Sequence, residues 1–258
     1  MTAVAAKVTS RGVLVPRALI ATWGDVREVE IEQHADTVVI RPRPSEAALW
    51  RGQVISKMKA AGLIEEMPWP EPPVVSPEAR APGCEAEPWQ TSLGTHPGGP
   101  GGIRVSVYYL DASALVKRYV NEPGSGWLRS LLASTQADLL FTSRMTIVEV
   151  ISAFARRVRE GALTSEEFAA AENALRSDCL RDYQIMPPTI EVVDLACSLL
   201  QRHPLRAYDA THLASALSAQ KFLATEGHPG LIFLSADDRL TGAARAEGLE
   251  TDNPNKHV

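Results

Sequence analysis

The chain is short of cysteine, of charge of one sign and of long apolar runs, and each shortage narrows its function. Three cysteines in 258 residues, Cys84, Cys179 and Cys197, stand far apart and odd in number. That spacing excludes a disulfide framework and a thiolate metal site, and it suits a reducing cytoplasm. No stretch reaches the roughly 18 apolar residues of a membrane span. The N-terminus meets Lys7 and Arg11 with no apolar segment before them, so neither a membrane partner nor a secretory leader is expected. Lysine and arginine total 26 against 31 aspartates and glutamates, a formal net charge of -5. A globally basic nucleic-acid binder is excluded, and any such partner has to be held by a local patch. What is present is ordinary for a packed protein, with 45% hydrophobic and 22% charged residues. The length allows two modest domains or one large one.

Within residues 1–44, short β-branched runs alternate with turn residues. Val4 to Val8 predicts a strand, Ser10-Arg11-Gly12 a turn, and Val13-Leu14-Val15 a second strand. Pro16 suits the first position of a short helix from Arg17 to Thr22, closed by Gly24. Val29-Glu30-Ile31-Glu32 and Thr37 to Ile40 alternate about a turn at His34-Ala35-Asp36, which predicts a half-buried hairpin. Four short strands bury too little surface to stand alone, so this unit is expected to dimerise. Lys7-Val8-Thr9-Ser10-Arg11-Gly12, Val15-Pro16-Arg17 and the Val-Glu-Ile-Glu strand together resemble the AbrB-type swapped-hairpin DNA-binding domain. The resemblance implies a barrel interleaved from two chains, binding operator DNA through Lys7, Arg11 and Arg17. Between Trp23 and Val26 the loop is shorter than the family's usual Gly-containing one. Without the resemblance, the same basic residues read as a solvated turn on a dimerisation unit.

Ser45 can cap a helix running to about Ala61, with Gly62 just past its end. Ala47, Trp50, Val54, Met58 and Ala61 make its apolar stripe, which needs a surface to cover. From Met67 to Gly102 the composition changes, and nine of the 18 prolines fall between Pro68 and Pro100. This predicts an extended tail and then a flexible Gly/Pro linker. A plain spacer needs no tryptophan, so Trp69 and Trp89 are candidate anchors on a partner, or exposed aromatics in a spacer. Arg80 is the only Lys or Arg between Lys59 and Arg104.

Strand-like runs at Val107–Leu110, Leu139–Thr142, Leu231–Ser235 and near Leu249–Thr251 alternate with helical patterns. These patterns cover Gly126–Ala133, Thr146–Glu160, Ser165–Tyr183, Thr189–Arg202 and Tyr208–Ala219. Alternation of this kind predicts a parallel sheet flanked by helices. Asp111 ends the first run, with Ser113 placed to cap the helix that follows, and ligands bind at the carboxyl ends of such strands. Glu149 lies beside the apolar stripe Ile147, Ile151, Phe154 and Val158. Asp209 lies in the first turn of an Ala-rich helix, and Asp237 follows a strand. Singly, each is also explained as a helix-end or turn carboxylate.

Together, Leu110-Asp111-Ala112-Ser113-Ala114-Leu115-Val116-Lys117, Val148-Glu149-Val150, Tyr208-Asp209-Ala210-Thr211-His212-Leu213-Ala214 and Ser235-Ala236-Asp237 resemble the PIN-domain nucleases, most closely the VapC-type toxins. The resemblance covers essentially all of residues 105–254. It implies an RNA-cleaving site in which Asp111, Glu149, Asp209 and Asp237 hold divalent metal, with Ser113 and Ser235 supporting them. Asp237 holds the Ser-x-Asp position and is preferred over Asp238. Carboxylates without a His or Cys cluster favour Mg²⁺ or Mn²⁺ over Zn²⁺. Such ions neutralise developing charge in phosphodiester hydrolysis. His212, one turn into its helix, is expected to pack or to support a ligand rather than act as a general base.

The whole therefore resembles a VapBC-type toxin–antitoxin fusion in three parts. An AbrB-like unit (1–44) is followed by a helix, inhibitory tail and linker (45–104) and a PIN-like α/β nuclease (105–258). Trp50, Trp69 and Arg80 are the candidate inhibitory contacts, and self-association is expected through the first unit. The same residues are compatible with a DNA-binding autorepressor whose blocked nuclease fold is a scaffold, or with a PIN domain acting on DNA or on broad RNA.

Overall fold

A computed structural model describes residues 7–9, 12–14, 29–34, 37–43, 45–68, 105–134 and 139–257. The chain divides into two compact units, Met1–Trp50 and Arg51–Val258. In the first, β1 (Lys7–Thr9) pairs antiparallel with β2 (Gly12–Leu14). β3 (Val29–His34) pairs with β4 (Thr37–Pro42) from Val29 opposite Pro42 to His34 opposite Thr37. That register puts Val29, Ile31, Val38 and Ile40 on one face of the second hairpin, since side chains alternate along a strand. Val29, Ile31 and Val38 are 43%, 60% and 55% exposed, so this apolar face is open. Lys7 lies on β1. Arg11, Arg17, the expected helix near residues 17–22, Trp69, Arg80 and Trp89 lie outside the described residues.

α1 (Glu46–Ala60) begins where the Ser45 hydroxyl accepts the Ala48 amide at 3.1 Å, and Gly62 at φ 69° turns the chain out of it. Its stripe narrows to Val54 and Met58, both fully buried, while Trp50 is half-buried and Ala61 exposed. Within the second unit this segment is tied down at several points. Lys57 pairs with Glu226 at 2.5 Å, the Glu65 amide donates to the Ile185 carbonyl at 2.9 Å, and Glu65 pairs with Arg144. Ile64 is buried, and Met67 packs on the main core.

That unit is built on β5 (Val107–Leu110), β6 (Leu139–Ser143), β7 (Tyr183–Met186), β8 (Ile232–Leu234) and β9 (Glu250–Asp252). They form one parallel sheet in the order β7-β6-β5-β8-β9. The helices are α2 (Ala112–Tyr119), α3 (Ser125–Ser134), α4 (Arg144–Arg159), α5 (Ser165–Arg181), α6 (Ile190–Arg202), α7 (Ala207–Thr225) and α8 (Asp238–Ala246). Tyr108, Leu110, Leu140 and Ile185 join Leu115, Leu128, Phe154 and Leu175 of α2 to α5 in one core. On the opposite face Tyr109 stacks on Phe233 at 5.5 Å, α7 lies against β6, and α6 packs on α7. Every residue of β5 and β6 is buried, as expected of parallel strands covered on both sides. Complete burial of a side chain such as Phe154 contributes roughly 2 kcal/mol.

Two local expectations are corrected. Tyr183, read as the last residue of a helix, begins edge strand β7, and residues 184–186, assigned to no element, complete it. The helix stops at Arg181, and Tyr183 and Ile185 turn into the core while Glu65 bridges the strand's outer edge. Secondly, the cap of α2 is Asp111 rather than Ser113, because the Asp111 Oδ1 atom accepts the Ala114 amide at 2.8 Å. Ser113 lies inside the helix and is free to bind elsewhere.

Candidate active site

The strand order reverses at β5: the chain runs outward from β5 through β6 to β7, then crosses back to β8 on the other side of β5. The crevice beyond the carboxyl ends of β5 and β8 is therefore the topological switch point, where open α/β sheets bind ligands. Asp111 follows β5, and Ser235, Ala236 and Asp237 follow β8. Two serines stitch these turns together. Ser113 Oγ donates to the Asp111 carboxylate at 2.9 Å and accepts the Ala236 amide at 2.8 Å. Ser235 Oγ donates to Asp111 Oδ2 at 2.9 Å and accepts the Asp237 amide at 3.1 Å. Asp111 is 4% exposed, and burial pushes its pKa up, with His212 the largest electrostatic influence in the other direction.

Glu149 lies one turn into α4, where Thr146, Ile147, Val150 and Phe154 are the buried positions. Its Oε2 meets His212 Nε2 of α7 at 2.6 Å, and His212 Nδ1 meets the Tyr109 hydroxyl at 3.1 Å. His212 thus supports a carboxylate rather than a reacting group. Asp209, in the first turn of α7, accepts the Arg206 amide at 3.2 Å. Arg239 of α8 reaches Asp209 at 3.1 Å and Asp237 at 3.7 Å, so one guanidinium bridges these two carboxylates. Asp237 caps α8 by accepting the Arg239 and Leu240 amides. Asp238 points elsewhere, to Asn253 at 2.9 Å and Lys256 at 3.2 Å. The C-terminal turn holding those partners packs on Gly124, where a Cβ would lie 2.0 Å from the Pro254 carbonyl oxygen, and His257 stacks on Trp127 at 4.0 Å.

Arg239 and Tyr109 did not emerge from the sequence as site residues. Tyr109 carries a signal, because strand alternation sends it to the face opposite Tyr108. Arg239 reads as a helix-start charge until the β8 turn is folded against α7.

Residues 108–244, more than half of the chain, match the PIN domain family. The chain belongs to the PIN domain family. Ribonuclease VapC45 and Ribonuclease VapC49 of Mycobacterium tuberculosis are each 35% identical to it over 149 residues, covering 55% of this chain and 92% of theirs. The solved structure of FitAcB from Neisseria gonorrhoeae is similar at 18% identity and a TM-score of 0.41, covering 58% of this chain and 99% of that one.

In this PIN domain no three acidic or imidazole side chains converge closely enough to hold a metal ion among the described residues. The donor chemistry still fits a hard divalent cation, because the groups at the switch point are carboxylate and hydroxyl oxygens. Asp111 is buried on hydroxyl and amide donors with no ion pair within 4 Å among the described residues, so positive charge reaches it only from farther off, from His212 and Lys117. A positive charge at the PIN domain crevice is supplied by Arg239, standing between Asp209 and Asp237. No described helix is long and apolar enough to cross a membrane.

Proposed function

We propose that this PIN domain is a Mg²⁺- or Mn²⁺-dependent endoribonuclease, held in check by antitoxin-like N-terminal residues of its own chain. The observation that carries the reading is the buried Asp111 at the switch point of a PIN fold whose relatives are ribonucleases, with Asp237 following the neighbouring strand and Asp209 joined to it through Arg239. In this reading the four carboxylates hold the metal. A bound divalent ion neutralises the phosphodiester and activates water. The Ser113 and Ser235 hydroxyls favour the charged form of Asp111 against its burial and orient it. Arg239 gives way at the Asp209–Asp237 gap and is then free to meet a phosphate oxygen.

Inhibition within the chain is supported by the docking of residues 51–68 on the second unit through Val54, Lys57, Met58, Glu65 and Met67. Tethering gives such a segment an effective concentration of roughly millimolar, so modest contacts suffice. Residues 1–44 are proposed to bind operator DNA as an AbrB-like dimer through Lys7, Arg11 and Arg17. The open Val29, Ile31 and Val38 face is the surface a second copy would cover. Trp50, Trp69 and Arg80 are proposed as further inhibitory contacts.

The test compares RNA cleavage by purified residues 105–258 and by the intact chain at equal concentration and metal. We expect the fragment to cut in Mg²⁺ or Mn²⁺, to stop with EDTA, and to exceed the intact chain in rate. Equal rates would remove autoinhibition. A second reading, a DNA-binding autorepressor with a blocked nuclease fold, is favoured by Arg239 lying between two of the carboxylates. Inactivity of the folded fragment in both metals would select it.

A further inference from the structure

Tyr109, His212 and Glu149 form a chain of hydrogen bonds from the sheet core to the crevice. Tyr109 is 0% exposed and His212 2%, whereas the Glu149 side chain is 26% exposed. Tyr109 is pinned on three sides. It stacks on Phe233, meets the edge of the His212 ring at a 6.1 Å centroid distance, and sits mid-strand on β5. A buried phenol must place its proton on an acceptor; the Ser215 side chain and the Ser143 backbone also bond to this hydroxyl, and His212 Nδ1 is the ring acceptor within reach at 3.1 Å. With Nδ1 accepting, the imidazole proton belongs on Nε2, which donates to Glu149 Oε2 at 2.6 Å. Direction is thereby imposed on a side chain with three rotatable bonds. One oxygen of Glu149 is occupied by a rigid donor, and Oε1 is left for a cation.

We propose that Tyr109 and His212 are positioning residues that lock the imidazole tautomer and hold Glu149 ready to bind metal. This rests on the reading that Glu149 is a metal ligand. His212 sits on the same helix as Asp209, three residues on, so α7 supplies one carboxylate directly and orients another. Partners of this kind, bonded to a ligand rather than to the ion, typically change metal affinity about 10- to 100-fold when removed.

The experiment is Mn²⁺ binding to the intact chain followed by electron paramagnetic resonance, with thermal unfolding as the check on folding. His212→Leu should weaken Mn²⁺ binding about tenfold or more. His212→Gln should recover most of it, since the Gln amide nitrogen falls near the position of Nε2. His212→Asn should not, because its nitrogen falls near Nδ1 and cannot reach Glu149. Tyr109→Phe should give a smaller loss of roughly threefold by freeing the tautomer. A merely structural histidine would rank Gln and Asn by stability instead, so the Gln/Asn contrast remains decisive even if the Leu variant unfolds. Asp111→Asn serves as the reference. If wild type binds Mn²⁺ and Asp111→Asn does not, while His212→Leu and His212→Asn both bind like wild type, the positioning role is overturned and the metal site stands. If wild type binds no Mn²⁺, or Asp111→Asn binds as well as wild type, the metal reading fails and takes the positioning role with it.

Discussion

Asp111 at the switch point and Asp178 on α5 are buried to the same degree, 4% and 5% exposed, and are satisfied in opposite ways. Asp178 brings its own cations. Arg118 Nε lies 2.7 Å away, Arg181 3.2 Å away, and the Tyr119 hydroxyl donates at 2.9 Å. Arg118 is itself held over the Tyr183 ring at 5.7 Å. Asp111 receives two serine hydroxyls and one amide, all neutral. A carboxylate used for architecture is neutralised within the fold. One kept for a ligand is oriented by neutral donors and left with its charge, at a cost in stability that binding can offset.

Substitution separates the two most sharply at the level of activity. Asp111→Asn should lower metal-dependent RNA cleavage at least about a hundredfold, since a lost ligand misplaces the ion. Its urea midpoint should stay at or above the wild-type value, because the amide removes a buried charge held by neutral donors. A large loss of stability in this variant would place Asp111 with the architectural carboxylates. Asp178→Asn should behave in the reverse sense. It takes the nearer carboxylate from Arg118, which keeps only Asp182 at 3.5 Å, and should cost about 3 kcal/mol in denaturant unfolding, with cleavage by the folded fraction unchanged.

The smallest effect sharpens the comparison at the surface. Glu247 joins α8 to α6 by bonding His203 at 2.6 Å and Arg202 at 3.1 Å. The His203 hydrogen bond, then Arg202, lowers its pKa below the ordinary 4.5. A depressed folded-state value means stability that is present above the unfolded pKa and lost as pH falls through the folded one. Arg202 is exposed and the pair is screened, so Glu247→Gln should cost only about 0.5 kcal/mol near neutral pH. That difference should vanish in strong acid, which unfolding curves at the two pH values would read directly.

Much of this was legible in the order of residues, and the misses have physical causes. Four of the five sheet strands stood out because buried parallel strands are continuous apolar runs. Tyr183–Met186 did not, because it is short and joins directly to the end of a helix. Asp111, Glu149, Asp209 and Asp237 were singled out by the resemblance of their four blocks to the PIN-domain nucleases, since taken singly each also reads as a helix-end or turn carboxylate. Ser113 was assigned the wrong local task, because a serine and an aspartate two residues apart compete for one cap and only the backbone path decides between them. Asp237 and Asp238 were nearly equivalent in the sequence. The C-terminal turn separates them by drawing Asp238 to Asn253 and Lys256.

Local chemistry alone determined the kinds of element, the β-rich start, the proline-rich tail and the acidic residues, because these depend on neighbours within a few positions. Tertiary structure alone decided which of those residues meet. The reversal of strand order brings Asp111 to Ser235, and the packing of α7 on β6 delivers His212 between Tyr109 and Glu149. The seating of α8 lays Arg239 across Asp209 and Asp237. Apart from the local Arg239–Asp237 pair, these are contacts between positions 30 to more than 120 residues apart, where no periodicity reaches and only the closing of the sheet fixes the distance.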